Sequence, residues 1–348
     1  MILHIASIEK FIEPFIGFLE NNFEDFERHV FFLFDDNVHF PVSKRDNIRF
    51  AADRKTRVQV YSELIILMYR ADKIILHGLW NIRVVQMLAL NQWLLKKCYW
   101  VIWGGDLYSY KLAKRDKIWK KYEIYRRFVI KRMGHLVTYI DGDVELARKW
   151  YGARGKSHEC LMYLSNVFNE LEVPRKKSLT VNIQIGNSAD PSNEHFEMLQ
   201  ILEKYRDEDI RIYAPLSYGP KDHAYRVKEE GERIFGKKFV ALMDFMPYQE
   251  YLRFLGEIDI AVFNHRRQQA MGNTINLLGL GKKVYMRSDV SQWYLFARLG
   301  VCVGDINAFS IDQGCDGDVL QKNADIISCF FSKEGMKKQY KKIFEEAI

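Results

Sequence analysis

The chain has 348 residues, more than one hydrophobic core usually serves, so two domains are expected. Apolar residues make up 48% of it, yet no apolar run approaches the roughly 20 residues that cross a bilayer as a helix. The formal net charge is +7, and it sits in one segment: between Lys111 and His135 ten Lys or Arg face only Asp116 and Glu123, leaving the rest close to neutral.

The opening "MILHIASIEKF" lacks the order of charged, apolar and small residues that makes a signal peptide, and it reads as a first strand. Further strands are expected at 28–34, 47–51, 73–77, 98–103 and 136–140, then at 179–185, 210–214, 238–243, 259–263 and 283–287. Helix-period runs fall between them, among others at 57–71, 81–96, 142–151, 193–206, 222–235, 247–257 and 273–280. Such alternation predicts an α/β protein of parallel sheets covered by helices. The polar stretch at 165–178, with Pro174 and three consecutive cations, is the expected break. The expected organisation is two doubly wound, Rossmann-like domains facing a cleft, spanning 1–165 and 178–330, joined by a linker at 166–177. An amphipathic segment, 331–348, can pack back on the first domain. The five cysteines form no CxxC pair, so they read as reduced thiols rather than a disulfide framework or a zinc site.

Two strand ends in the first half carry chemistry. In "KIILHGLWN" (73–81) a strand runs into His77 and Gly78, with Trp80 and Asn81 opening the next helix. In "CYWVIWGGDLYSY" (98–110) a strand ends in Trp103, Gly104, Gly105 and Asp106, with Tyr108 close behind. Asp106, partly desolvated by Trp103 and Tyr108, could serve as a base toward a sugar hydroxyl; equally it could cap the following helix. His77 could be catalytic or a core histidine satisfied by a carbonyl. The basic segment, with Lys117, Lys120, Lys121, Arg126, Arg127, Lys131 and Arg132, reads as a solvated helix face, a nucleic-acid surface or an amphipathic helix on an anionic membrane. No nucleic-acid motif accompanies it, which favours the membrane and leaves nucleic acid aside.

In the second half, "IQIGNSADPSNEHFEML" (183–199) is a strand, a polar turn and a helix. Gly186 allows a close turn, Asn187 and Ser188 follow it, and Ser192 or Asn193 is placed to cap the helix just before His195. "IAVFNHRRQQAMGNTINLLGLGKKVYMR" (260–287) repeats the design, with Arg267, Gln268 and Gln269 ahead of Gly272, Asn273 and Thr274. Each could be an ordinary capped turn; two anion-competent helix mouths together suit a diphosphate. Neither is a P-loop nor a GxGxxG fingerprint. Tyr218, in "YAPLSYGP" (213–220), could reach a nucleotide or pack in its loop.

Taken together, "HGLWN", "WVIWGGDLY", "IGNSADPSNEH" and "RRQQAMGN" resemble, in order and spacing over roughly residues 70–290, the TDP-N-acetylfucosamine:lipid II N-acetylfucosaminyltransferases of glycosyltransferase family 56. The resemblance implies a metal-independent GT-B enzyme with no cofactor. It would use a nucleotide-diphosphate sugar, dTDP-linked in the family, as donor. It also implies a polyprenyl-diphosphate-linked acceptor at the cytoplasmic face of the bacterial inner membrane, as in enterobacterial common antigen assembly. This chain departs from the family pattern at Ala270, where the family has Gly, at Gly105, where it has Ala, and at Leu79-Trp80, where it has Gln-Phe. The absence of a Glu-x7-Glu pair near 260–280 tilts the expectation toward inversion. Two alternatives stay open: a nucleotide-sugar epimerase or hydrolase on the same scaffold, and a non-catalytic module that binds nucleotide sugar or membrane.

Overall fold

A computed structural model describes residues 1–35, 40–170, 179–311 and 317–346 of the chain. The chain divides into two compact units: Met1–Ser165 with Lys333–Ile348, and Asn166–Ser332. The Pro174 and Lys/Arg part of the expected linker, and Cys315, lie outside the described residues.

The first unit is built on seven strands: β1 Ile2–Ser7, β2 His29–Phe34, β3 Ile48–Phe50, β4 Lys73–His77, β5 Cys98–Val101, β6 His135–Val137 and β7 Lys156–His158. All pair in parallel, in the order β3-β2-β1-β4-β5-β6-β7. The central strands are buried on both faces, which is why Ile74, Ile75 and Leu76 read as a continuous apolar run rather than an alternation. Polar residues gather on the edge strand β7, which the sequence pattern missed because three residues carry no period. Helix Arg57–Arg70 begins with a reciprocal capping box between Thr56 and Gln59, and helix Asp141–Tyr151 ends on Gly152 in the left-handed region at φ 67°. The helix Lys333–Glu345 packs on this unit: the buried Tyr340 hydroxyl donates to the Met162 carbonyl at 2.7 Å, and Lys73 Nζ donates to the Ile343 carbonyl at 2.6 Å.

The second unit has six parallel strands: β8 Val181–Ile185, β9 Ile210–Pro215, β10 Phe239–Leu242, β11 Ile260–Phe263, β12 Lys283–Met286 and β13 Gly304–Asp305, ordered β10-β9-β8-β11-β12-β13. In both sheets the strand order reverses beside the first strand, between β1 and β4 and between β8 and β11. Loops leaving the carboxyl ends of the two strands at such a reversal diverge to opposite faces and leave a crevice where ligands bind. The motif loops follow β4 and β5 in the first sheet, and β8 and β11 in the second.

Candidate active site

In the second unit the two loops at the reversal are stitched together by side chains. Asn193 is 1% exposed and uses all of its amide: Oδ1 accepts from Asn187 N at 2.9 Å and from His265 Nε2 at 2.8 Å, while Nδ2 donates to Ser188 Oγ and to the Asp190 carbonyl. Gln269 is committed likewise: Oε1 accepts from Ser192 Oγ at 2.9 Å and Nε2 donates to Asn187 Oδ1 at 3.1 Å. Asn193, Ser188 and Gln269 therefore brace the loops from within; Asn193 and Ser188 are buried, while Gln269 stays half-buried. The expected cap also changes: Asp190 caps the short 3-10 turn Pro191–Asn193, and neither Ser192 nor Asn193 caps helix His195–Glu203.

What caps that helix is Glu194, at φ 53°; helix Met271–Gly279 is capped by Ala270, at φ 58°, and neither has a side-chain capping hydrogen bond. Two non-glycine residues thus hold the left-handed region at equivalent helix starts on either side of the reversal, and the first-turn N–H groups of such helices, which have no intrahelical partner, are the donors an anion can use. Gly272 and Asn273 lie in the second of these turns and are half-buried, whereas Thr274 is buried with its hydroxyl on the Ala270 carbonyl. Gly186, at φ 63°, must lack a Cβ, since one would stand 2.7 Å from both Asn193 Oδ1 and His195 Nε2. Arg266 pairs with Glu194 at 3.0 Å; Arg267 and Gln268 are half-buried beside it. The Tyr218 carbonyl accepts from Ala189 N at 2.6 Å, fixing its loop against the first turn, while its side chain is 75% exposed.

Two buried histidines lie beneath this surface. His195 has hydrogen-bond partners on neither ring nitrogen, and His265, which the sequence reading passed over, lacks one on Nδ1. Burial pushes both down to about 3, so each is neutral. Because Asn193 Oδ1 can only accept, His265 carries its proton on Nε2 and turns a bare lone pair inward at Nδ1. His265 was findable: it is the second polar residue after the apolar strand "IAVF".

In the first unit the expected catalytic pair is interior. Asp106 is 0% exposed, lies inside the first turn of helix Gly105–Leu112, and is not its cap; that place is Gly104, at φ 81°. Its Oδ2 accepts from Leu79 N at 3.0 Å and Trp100 Nε1 at 2.7 Å, and its Oδ1 from Trp103 N at 3.1 Å and Leu107 N at 3.0 Å. Burial raises its pKa, and Arg126 and these donors pull the other way. A carboxylate filled by four donors and closed to solvent holds the two strand-end loops together and cannot reach a substrate hydroxyl. His77, 2% exposed, is likewise engaged at both nitrogens, Nδ1 with the Tyr163 hydroxyl at 2.6 Å and Nε2 with His4 at 3.1 Å, and burial pushes it down to about 3.

The expected acceptor-side residues divide. Trp80 is half exposed, and its indole lies over Gly105, where a Cβ would meet Trp80 Cη2 at 3.0 Å. Trp103 is half-buried, donates from Nε1 to the hydroxyl of buried Tyr163 at 2.9 Å and packs edge-on against Phe11 at 4.7 Å; Phe11 extends the aromatic surface beyond what the motifs named. Asn81 caps helix Ile82–Leu90 through its side-chain oxygen. Tyr108 is buried, with its hydroxyl on Asp143 at 3.2 Å, and so does not face a ligand. On helix Lys117–Arg132 the cations Lys117, Lys120, Lys121, Arg127, Lys131 and Arg132 are exposed, beside exposed Ile118 and Ile124. Arg126 departs from the expected surface set: it is 9% exposed and donates to the carbonyls of Leu79 at 2.7 Å and Asp106 at 2.5 Å. Among the described residues no helix is long and apolar enough to cross a membrane.

Two doubly wound parallel-sheet units of this topology make up a GT-B fold. The same fold is seen in the Anabaena HepE structure in complex with UDP and glucose (TM-score 0.68, 11% identity, 99% of each chain covered). It recurs in the E. coli trehalose-6-phosphate enzyme bound with UDP-2-fluoro glucose (TM-score 0.63, 10% identity, 100% of each) and in WaaG, a glycosyltransferase involved in lipopolysaccharide biosynthesis (TM-score 0.64, 10% identity, 100% of each). The chain belongs to the 4-alpha-L-fucosyltransferase family, glycosyl transferase group 56, whose model matches residues 29–293.

Proposed function

We propose that this glycosyltransferase moves a deoxyamino-hexose, N-acetylfucosamine or a close relative, from a nucleotide-diphosphate donor to a polyprenyl-diphosphate-linked saccharide at an anionic membrane surface, in cell-surface polysaccharide assembly. The observation that carries the donor half is the pair of helix mouths at Glu194 and Ala270, both left-handed and both without a side-chain cap. As the glycosidic bond breaks, negative charge grows on the leaving phosphate. N–H groups already aimed at that place stabilise the transition state more than the ground state, with no reorganisation at the moment of reaction. This supports a transfer step that proceeds without a metal. Arg267, Gln268, Asn273 and Tyr218 are the remaining side chains on this surface for phosphate, ribose and base.

The acceptor half rests on the aromatic surface of Trp80, Trp103 and Phe11 and on the exposed cations of helix Lys117–Arg132. Apolar sugar faces stack on indole rings, and cations hold a peripheral protein reversibly to anionic lipid. Asp106 and His77 act here as positioning residues. Inversion at the anomeric carbon is the proposed course, and the coupling constant of the product's anomeric proton reads it.

The test is calorimetry of UDP, GDP, CDP and TDP with wild type and Gly272→Glu in the presence of EDTA. One nucleotide diphosphate binding without metal, and weakened at least about 100-fold in the variant, is the expected result. Equal binding by the variant, or none of the four by wild type, sinks the donor assignment.

A further inference from the structure

We propose that His135, His158 and Glu346 form a binding site for a divalent transition-metal ion, zinc being the chemistry that fits, which clamps the C-terminal helix to β6 and β7. Each residue offers one ligand atom, and the three atoms lie within 4.8 Å of one another. His135 opens β6 and His158 closes β7, two positions on the same face of neighbouring strands, and Glu346 follows the helix Lys333–Glu345 that covers that face.

The packing of the three side chains is what singles this cluster out. His135 Nδ1 and His158 Nε2 stand 2.8 Å apart, and His158 Nδ1 stands 3.5 Å from Glu346 Oε2. His158 thus lies between the other two, with a ring nitrogen toward each. A metal ion would draw a lone pair from each imidazole and from the carboxylate in place of these contacts.

Two imidazoles and a carboxylate are a zinc ligand set, with a fourth position open to water because the Glu346 side chain is 24% exposed. The Tyr99 ring, stacked on His135 at 3.8 Å and 4°, fixes that ring's orientation, as outer partners of metal-bound histidines do. Tetrahedral ligation needs the ligand atoms about 3.3 Å apart, so the two rings must part by about half an ångström. Lys156 hydrogen-bonds Glu346 Oε1, and Lys73 Nζ donates to the Glu346 carbonyl at 2.5 Å. These charges oppose Mg2+ or Ca2+, which are held by carboxylate charge, more than an ion held through imidazole lone pairs. His135 lies at the amino end of β6, whereas the motif loops leave the carboxyl ends of the strands, so the ion would serve stability and not the transfer step.

The test strips the full-length protein with EDTA, removes the chelator and titrates Zn2+ against a chromophoric competitor, with thermal unfolding in parallel. The expected result is one zinc per chain at micromolar affinity or tighter, a melting temperature raised by several degrees at one equivalent, and no response to Mg2+ or Ca2+. His158→Ala and Glu346→Gln should each weaken binding at least about 10-fold. Glu346→Gln keeps the side chain's shape and decides the matter should His158→Ala fold poorly. Absence of saturable one-equivalent binding overturns the proposal, and so does zinc bound equally by wild type and Glu346→Gln.

Discussion

The Arg126 guanidinium hydrogen-bonds the backbone carbonyl of Asp106 at 2.5 Å and leaves the carboxylate of that residue to four other donors. The same guanidinium holds the Leu79 carbonyl at 2.7 Å, while Leu79 N is one of the four donors. Both edges of the peptide chain at Leu79 are thus tied to the Asp106 turn, and Trp80 and Trp103 are presented from a braced support.

Asp106→Asn tests whether that carboxylate positions or reacts. Each oxygen accepts from two donors, so an amide NH2 in place of either would leave two of the four without an acceptor, which costs about 3 kcal/mol or more. The expected outcome is a large fall in urea-unfolding stability together with loss of activity. A variant as stable as wild type whose kcat alone collapses would return Asp106 to the role of base.

Gly105→Ala probes the ring above it. A Cβ at 3.0 Å from Trp80 Cη2 makes the indole give by a few tenths of an ångström, and the half-exposed ring is free to do so. Stability should change by less than about 0.5 kcal/mol, while the acceptor KM rises several-fold and the donor KM does not. Combining it with Trp80→Phe, a smaller ring, should recover most of the loss; strict additivity would mean that the two positions do not communicate.

Much of this arrangement was legible beforehand, and the failures have physical reasons. Every strand buried on both faces announced itself as an apolar run; only β7 and β13, of three and two residues, did not. The strand-end motifs were found because Gly and polar residues interrupt those runs. Burial depth was not legible: nothing in "WGGDLY" shows that Trp100 turns its indole N–H onto Asp106 or that a helix twenty residues on closes the space above. Arg126 was hidden in a run of cations. Helical phase does betray it, since 126, 129, 130 and 133 form one stripe and the other three are Arg126's buried neighbours Val129, Ile130 and Met133. The reversal of strand order, which gives the 186–194 and 264–270 loops their shared crevice, is a long-range property that no local pattern carries.

Ala270→Gly should stabilise the protein. A side chain at φ 58° costs roughly 1–2 kcal/mol against the right-handed region, and glycine removes that cost while gaining some unfolded-chain entropy. A net gain of about 1 kcal/mol in urea unfolding, with donor affinity kept, is expected. Ala270→Val should lose both stability and binding, because a β-branched residue tolerates this conformation least. A stabilising valine would show that the left-handed turn is not what the protein uses.

Acid should unfold the protein early. His4, His29, His77, His135, His158, His195, His223 and His265 all have pKa values lowered by burial, to about 3 at His77, His195 and His265. Lowered folded-state values mean that the unfolded chain binds protons the folded chain refuses. Stability is therefore full above about pH 6.5 and falls as the pH drops below it, by about 1.4 kcal/mol per unit for each fully buried histidine. Melting temperatures between pH 7.5 and 5.0 should decline steeply. His265→Gln, whose amide can still donate to Asn193, should flatten that slope by one proton; an unchanged slope would mean that His265 is protonated in the folded state.

The proposed membrane attachment by helix Lys117–Arg132 predicts a salt signature. Lys117, Lys120 and Lys121 are exposed around Ile118 (63%) and Ile124 (70%), so apolar and cationic groups meet one surface together. Each cation contributes on the order of 1 kcal/mol at an anionic surface and fades within a Debye length. Replacing the three lysines by glutamate should cut binding to vesicles containing phosphatidylglycerol at least about 100-fold at low salt. Raising the salt to 0.5 M should erase most of wild-type binding. Ile124→Ser should weaken binding at both salt concentrations alike, since its share is hydrophobic. Transfer to a short, water-soluble acceptor should be unchanged in all of these variants, because none of the substituted side chains lies among the strand-end loops. Loss of transfer to the soluble acceptor would instead place this helix face within the acceptor site itself.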